Sequence, residues 1–420
     1  MKAEIISTGE EIRSGAVVDS NSAHIARRLT DIGVQVERHC CVGDDLEAMS
    51  ALFDEVSQRA DVAIVTGGLG PTEDDLTADA AARSAGLERV LNKNALVYIE
   101  QFFESRNLPV NPLSRKQAYL PEDAECLMNP VGTAPGFSMA IRGCRFYFLP
   151  GVPYEMQRMM EDSVMPGLQQ ILANHQMFHR IATIGTFGYT ESRVSEKLAA
   201  FSQRFPELRL GFRATFPVIE VKLYGQSPDK SCLETMMGHA TKWVAQIIGD
   251  KVFSLDGRPM EMEVGRLLID RNETVSLAES CTGGLLASML TDVPGSSNYF
   301  LFSGVTYSNS AKVNVLGVST STIDEYGAVH EETAKQMAAG ARRLSGSTYG
   351  LATSGIAGPG GGTPDKPVGT VCIGLATAHW TRGFRFQFTF GNRAMNKQIF
   401  AFMALDLLRR QLQGAPFPLP

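Results

Sequence analysis

The chain has 420 residues and a formal net charge of −6, from 39 basic and 45 acidic side chains. That length favours two or three domains, each with its own core, and the acidic balance gives no support to nucleic-acid binding as a main role. No apolar run is long enough to span a membrane and the first residues enter a strand rather than a signal peptide, so a cytoplasmic protein with no membrane partner is expected.

Ala3 to Ser7 predicts a strand entering the turn Thr8-Gly9-Glu10-Glu11, and Ser14 to Asn21 leads into a helix with apolar Ile25, Ala26 and Leu29. Glu10, Asp19 and Asn21 are candidates to face one pocket; the alternative is ordinary turn and cap chemistry. Asp61 to Val65 reads as a buried strand running into Thr66-Gly67-Gly68-Leu69-Gly70-Pro71-Thr72-Glu73-Asp74-Asp75-Leu76-Thr77. Glycines let a backbone wrap a phosphate, and consecutive carboxylates offer oxygen ligands to a divalent cation. The alternative is a tight turn whose acidic residues favour the next helix N-terminus. Asp75 and Thr77 are expected to face the ligand. The loops Asn129 to Gly136 and Phe148 to Glu155 fit the same pocket, and Arg115 and Lys116 either neutralise phosphate charge or are solvated surface.

The middle of the chain changes rhythm. His179 to Gly185 predicts a strand, Glu191 to Phe201 a helix starting near Thr190, Val218 to Leu223 an alternating half-buried strand, and Cys232 to Ile248 a helix. Gly185-Thr186-Phe187-Gly188 spells Gly-x-x-Gly, expected between a strand and a helix, but it carries no basic residue, so RNA binding is not expected of it. His175 and His179 share a helical spacing without the glutamate of a zinc-hydrolase helix. Seven scattered cysteines without a Cys-x-x-Cys pair point to reduced thiols.

Met260 to Asp270 predicts the first helix of a carboxyl-terminal domain. Thr274 to Leu277 then reads as a strand and Leu285 to Leu290 as helix, placing Ala278-Glu279-Ser280-Cys281-Thr282-Gly283-Gly284 at a strand-to-helix turn. Such a turn exposes a hydroxyl, and the two glycines leave backbone N–H groups to stabilise an oxyanion. Lys312, in Tyr307-Ser308-Asn309-Ser310-Ala311-Lys312, is the candidate base, since a desolvated lysine loses its proton readily, and Tyr307 is a candidate relay. Against this stand a simple helix cap and a solvated lysine, and Cys281 as a competing nucleophile or a small buried residue. Thr353 to Gly362 runs through Lys366 to Thr370 into the strand Val371 to Leu375. It is a loop whose glycines let amides approach a phosphate or ribose, or else a plain connector. Ala394 to Gln413 predicts a last helix with Arg409 and Arg410 complementing its dipole, and the tail Gly414 to Pro420 is expected to be mobile.

Taken together these blocks resemble the CinA family, at both ends of the chain. Ala278 to Gly284, Val305 to Lys312, Tyr326 to Val329 and Thr353 to Val371 match its amidase domain; Ser310 stands where an acidic residue is more usual. The first 170 or so residues match its molybdopterin-binding-like domain. The implied fold is α/β and multidomain: two α/β sandwich-type domains, 1–170 and 254–420, joined by a small α+β KH-like module, 171–253, read as a spacer or dimer element. The implied activities are deamidation of nicotinamide mononucleotide to nicotinate mononucleotide and ammonia, without a cofactor, and hydrolysis of ADP-ribose to AMP and ribose 5-phosphate with Mg, Co or Mn. For the amidase the resemblance implies Ser280 as nucleophile with Tyr307 and Lys312, and substrate contacts from Thr282, Gly283, Gly284, Asn309, Ser354, Gly355, Gly358, Gly360, Gly361 and Arg393. For the pyrophosphatase it implies metal ligands among Asp74, Asp75 and Glu10, and contacts from Thr66, Gly67, Gly68, Gly70, Thr72, Asn129, Gly132 and Thr133. A homodimer is expected. The alternative is a nucleotide-binding accessory or sensor linked to competence, or a binder of molybdopterin-type ligands.

Overall fold

The computed structural model describes residues 1–109, 111–173 and 177–418; His175 and the last two residues of the tail lie outside them. The chain divides into two compact units, Met1–Arg180 with Gly225–Glu234, and Ile181–Tyr224 with Thr235–Pro420. No helix among the described residues is long and apolar enough to cross a membrane.

The first unit is built on β1 (Lys2–Thr8), β2 (Gln35–Val42), β3 (Val62–Thr66), a short pair β4 (Arg89–Leu91) and β5 (Tyr119–Pro121), then β6 (Glu125–Leu127), β7 (Gly136–Ile141) and β8 (Cys144–Leu149). Its six-stranded sheet has the order β2-β1-β3-β8-β7-β6, parallel over the first four strands and antiparallel at β7 and β6. Side chains alternate across a strand, so Ile6 and Val65 meet Phe53, Phe146 and Phe148 on one face while Ile5 and Ile64 meet Ile25, Leu29 and Met156 on the other. Both faces are therefore buried under helices, which is why β3 is apolar almost throughout.

Largely within the second unit, β9 (Phe178–Phe187), β10 (Arg209–Thr215), β11 (Val218–Ser227) and β12 (Val252–Ser254) form a sheet ordered β10-β11-β9-β12. Two expectations fail here. Gly185, Thr186 and Phe187 are not a connector but the end of β9, where the buried Thr186 hydroxyl donates to the Ile219 carbonyl at 2.8 Å. The helix expected over 191–201 breaks into Glu191–Lys197 and Phe201–Arg204.

The same unit contains β13 (Val275–Glu279), β14 (Phe300–Val305), β15 (Tyr349–Gly355), β16 (Thr370–Ala376) and β17 (Thr381–Gln387), ordered β14-β13-β15-β16-β17. The first three run parallel and the last two antiparallel. Leu277, Leu351 and Ile373 pack against the helices Met260–Arg271 and Arg393–Gln413 on one face, and Ala278, Ala352 and Ala376 against Glu331–Ser345 on the other. Glycine permits that second contact: a Cβ on Gly350 or Gly374 would lie 2.0 Å from the carbonyl oxygen of Ala338 or Ala334. Arg409 and Arg410 do more than face a helix dipole. Both are buried, and they share the buried Asp406 carboxylate at 2.6 and 2.7 Å, with Asp250 closing the network at 2.6 Å from Arg410.

Candidate functional site

Ser280 follows the last residue of β13, a turn spans residues 281–284, and a helix begins at Leu285. Gly283 and Gly284 have φ of 62° and 93°, conformations that L side chains resist. Their amides are not free for an oxyanion. The fully buried Glu279 reaches over the turn, and its carboxylate accepts from the N–H groups of Gly284 (2.9 Å), Leu286 (3.2 Å) and Ala287 (2.9 Å). Gly283 donates to the Ser280 carbonyl at 3.2 Å. Among the described residues, the N–H groups of Cys281 and Thr282 find no carbonyl or carboxylate acceptor, so the unengaged amides of the turn are those directly after Ser280.

Lys312 lies on the helix Asn309–Leu316, begun by a Ser308 cap, and is 1 % exposed. Its Nζ stands 3.1 Å from Ser280 Oγ, 2.9 Å from the Thr306 carbonyl and 3.1 Å from the Tyr307 carbonyl. Burial depresses its pKa, opposed only by nearby Cys281. As an ammonium the group donates to the Ser280 hydroxyl and both carbonyls; once deprotonated it keeps its two N–H bonds on the carbonyls and turns its lone pair to the hydroxyl, so the same contacts serve both states. The solvated-surface alternative for Lys312 is thus excluded by its burial.

Tyr307 has a different part from a proton relay. Its side chain is exposed and its hydroxyl accepts from Arg393 at 3.4 Å; only its backbone carbonyl touches Lys312. Arg393 also donates to the Gly358 carbonyl at 2.6 Å, so it links Tyr307 to the glycine-rich loop. Gly358 precedes a cis proline, Gly361 has φ of 87°, and a Cβ on Gly360 would meet nothing within 4 Å. Thr282 and Ser354 are structural: Thr282 pairs with the Thr353 hydroxyl at 2.7 Å, and Ser354 donates to the Ala328 carbonyl at 2.6 Å. Asn309 is exposed at its helix start, and Gly355 is packed against Thr370 and the Cys281 sulfur. Cys281 itself belongs to the core, where burial pushes its thiol up to about 12 and denies it a thiolate.

In the first unit a cavity of about 540 Å³ opens at the carboxyl ends of β1, β3 and β8, where parallel sheets bind ligands. Thr66, Gly67, Gly68, Gly70, Thr72, Thr133, Asp74 and Asp75 line it, with Asp19, Asn21, Asp44, Gln117 and Glu155. Asp75 already holds the loop together, accepting from Gly70 N–H (2.8 Å), Thr72 N–H (2.9 Å) and the Thr72 hydroxyl (2.5 Å). Lys116 donates to the Thr72 and Asp75 carbonyls, whereas Arg115 pairs with Glu100 at 3.6 Å.

Four expected residues stand elsewhere. Glu10 is turned onto Arg13, one helical turn away at 2.5 Å, and that guanidinium holds its carboxyl below the ordinary range. Asn129 is fully buried and binds Glu155 at 2.7 Å and the Ala134 carbonyl at 2.9 Å. Gly132 leaves room for that carboxylate, which a Cβ would meet at 2.1 Å. Thr77 is buried and donates to the Gly67 carbonyl at 3.0 Å. Asn21 and Gln117 each leave a buried side-chain carbonyl oxygen, Oδ1 and Oε1, without a partner. Buried acceptors of this kind are costly unless a ligand, ion or water completes them.

Comparison with known proteins places the chain. Residues 257–412 match the model of the CinA C-terminal domain, and residues 4–170 that of a probable molybdopterin binding domain. A CinA-like protein of Desulfosudis oleivorans is 50% identical over 412 residues, covering 98% of this chain and 100% of that one. The chain belongs to the CinA family. A CinA-like protein of Desulforapulum autotrophicum is 49% identical, covering 98% of each chain. The competence/damage inducible protein CihA of Agrobacterium tumefaciens, a crystal structure, is 37% identical and covers 37% of this chain and 97% of that one, with a TM-score of 0.35.

Sequence reasoning did not single out Glu279 as a cap or Gln117 as a pocket residue. Glu279 had one signal: a carboxylate at the end of an otherwise apolar strand, just before a glycine turn, has only the next helix N-terminus to neutralise it.

Proposed function

We propose that the carboxyl-terminal domain is a Ser-Lys amidohydrolase that deamidates nicotinamide mononucleotide to nicotinate mononucleotide and ammonia. The observation carrying this reading is the buried amine of Lys312, 3.1 Å from Ser280 Oγ with its remaining valences on two carbonyls. As Oγ attacks the carboxamide carbon, its proton passes to Nζ, and the carbonyl oxygen becomes an oxyanion facing the Cys281 and Thr282 N–H groups. The C–N bond breaks with transfer of the Nζ proton to nitrogen, releasing ammonia and leaving an acyl ester on Ser280. Water, deprotonated by the same amine, then cleaves the ester to a carboxylate and restores the hydroxyl. Arg393 and the glycine-rich loop provide the cation and open amides that suit the phosphate and ribose. The test is ammonia release by the full chain beside Ser280→Ala. Release should disappear in the variant; release that persists there would overturn the assignment of the nucleophile.

For the amino-terminal domain we propose metal-dependent hydrolysis of ADP-ribose to AMP and ribose 5-phosphate. The donors around its cavity are oxygens, from Asp19, Asp44 and Asp75 and the unpartnered amide oxygens of Asn21 and Gln117, which suits a hard divalent ion such as Mg or Mn. Among the described residues no three acidic, histidine or cysteine side chains gather as a closed metal site, so the ion would be held by one or two carboxylates together with substrate phosphates. Held there, such an ion would supply charge neutralisation for the phosphoryl oxygens and a more acidic water. The chain's own share is the Gly67-Gly68 turn, packed against Thr8 and Thr77 with the Gly67 N–H on the Leu149 carbonyl at 3.0 Å; the Gly68 N–H, which has no backbone acceptor among the described residues, is the amide that suits a pyrophosphate. The match to a probable molybdopterin binding domain favours a second reading for this half, binding without turnover, and AMP formation separates the two. We further propose a cytoplasmic homodimer.

A further inference from the structure

A cavity of about 610 Å³ lies within the second unit, walled by Phe216 and Phe253 and by Met260, Leu285, Met289 and Phe402. That size and lining fall in the range of small-molecule sites. Two of its four charged groups are already answered: Arg258 pairs with Asp256 at 3.0 Å and Glu220 with Lys222 at 3.6 Å. Two are not. Among the described residues Lys397 has no hydrogen-bond or ion-pair partner, and Glu261 Oε2 is buried without one. Burial raises the Glu261 carboxyl above the ordinary range, so the cavity's two unanswered groups are a cation, Lys397, and a carboxyl that ionises less readily than an exposed one.

We propose that this cavity is a second ligand site, for a small amphiphilic anion whose aromatic or otherwise apolar body fills the Phe and Met walls and whose acidic group meets Lys397. Neither Ser280 nor Lys312 lines it. It is nonetheless next to the proposed nucleophile turn: Lys397 Nζ lies 3.6 Å from where a Cβ on Gly283 would stand, and Leu285 is the first residue of the following helix. A ligand here adjoins the turn through Lys397 and Leu285. Only that consequence rests on the amidase reading; binding does not.

The probe is 8-anilinonaphthalene-1-sulfonate, an apolar aromatic body with one anionic group, titrated into the full chain and followed by fluorescence. One saturable site per chain is expected. Lys397→Glu should weaken it at least about tenfold by reversing the charge. Met289→Trp should do the same by filling the cavity, with unchanged circular dichroism in both variants. Lys397 is only half-buried, so its variant is informative even if Met289→Trp folds poorly. Absence of a saturable site in the wild type, or binding by Lys397→Glu as tight as wild type, would overturn the proposal. Ser280→Ala should bind the probe like wild type, so a failed amidase assay and a failed binding assay are told apart.

Discussion

Replacing Glu279 by alanine should loosen the nucleophile turn without touching either partner of the Ser-Lys pair. The wild-type carboxylate is fully buried and accepts three backbone N–H bonds, from Gly284, Leu286 and Ala287. Loss of a helix cap costs about 1 kcal/mol. Loss of a buried negative charge at a helix N-terminus adds up to about 2 kcal/mol, and burying donors without acceptors about 1 kcal/mol or more. A local loss of about 2 to 4 kcal/mol follows once the overlap between these terms is allowed for. At tenfold per 1.4 kcal/mol this is about 30- to 700-fold faster amide exchange at the three donors. Hydrogen exchange read by mass spectrometry on the peptide carrying residues 280–290 measures it, and ammonia release should fall with it because Ser280 Oγ is no longer held toward Lys312. Glu279→Gln, which keeps one acceptor oxygen, should fall between. Unchanged exchange in Glu279→Ala would show that the turn is held by something else and refute the reasoning.

Deamidation should rise with pH as Lys312 loses its proton, with its midpoint below the usual lysine range because burial disfavours the ammonium. The sign is set by the base needing its lone pair, so a rate independent of pH from about 5 to about 9 would contradict it. Lys312→Met should lower kcat by about 100-fold or more while leaving the chain folded, since it removes a buried amine and keeps the volume. Cys281→Ala should keep ammonia release within about threefold of wild type and cost about 1 kcal/mol of stability from the small cavity; loss of turnover to the level of Ser280→Ala would restore the thiol as a candidate. Asp19→Asn should weaken Mn binding by calorimetry about tenfold or more and lower AMP formation from ADP-ribose in parallel; equal Mn affinity in variant and wild type would remove Asp19 from the metal.

The candidate residues were legible in the sequence because their chemistry is local. Strand, glycine turn and helix follow one another over Val275 to Leu290, and that alone placed Ser280 at a turn. The glycines at 67, 68, 283 and 284 marked turns, and all four have positive φ, a conformation few other residues adopt. Apolar runs likewise placed β1, β3, β13 and β16 of the two α/β sheets, while the other strands of those sheets were not singled out.

Side-chain partnership was not legible, because several partners compete for each group and only the folded geometry decides which is met, whether it stands one helical turn away or in a distant segment. Glu10 and Arg13 stand one helical turn apart, so their pairing removed Glu10 from the expected ligand set; Asn129 met Glu155 across a loop and became structural. Arg409 and Arg410 looked like terminal cations until Asp406 and Asp250 were seen to neutralise them in the core. The sequence by itself determined membership of the family, the α/β class and the Ser280 turn, since these are written in contiguous residues and in their periodicity. Only the tertiary structure decided that Lys312, 32 residues away, is desolvated against Ser280 while Tyr307 is not, because an amine becomes a base only where the fold has taken its water away.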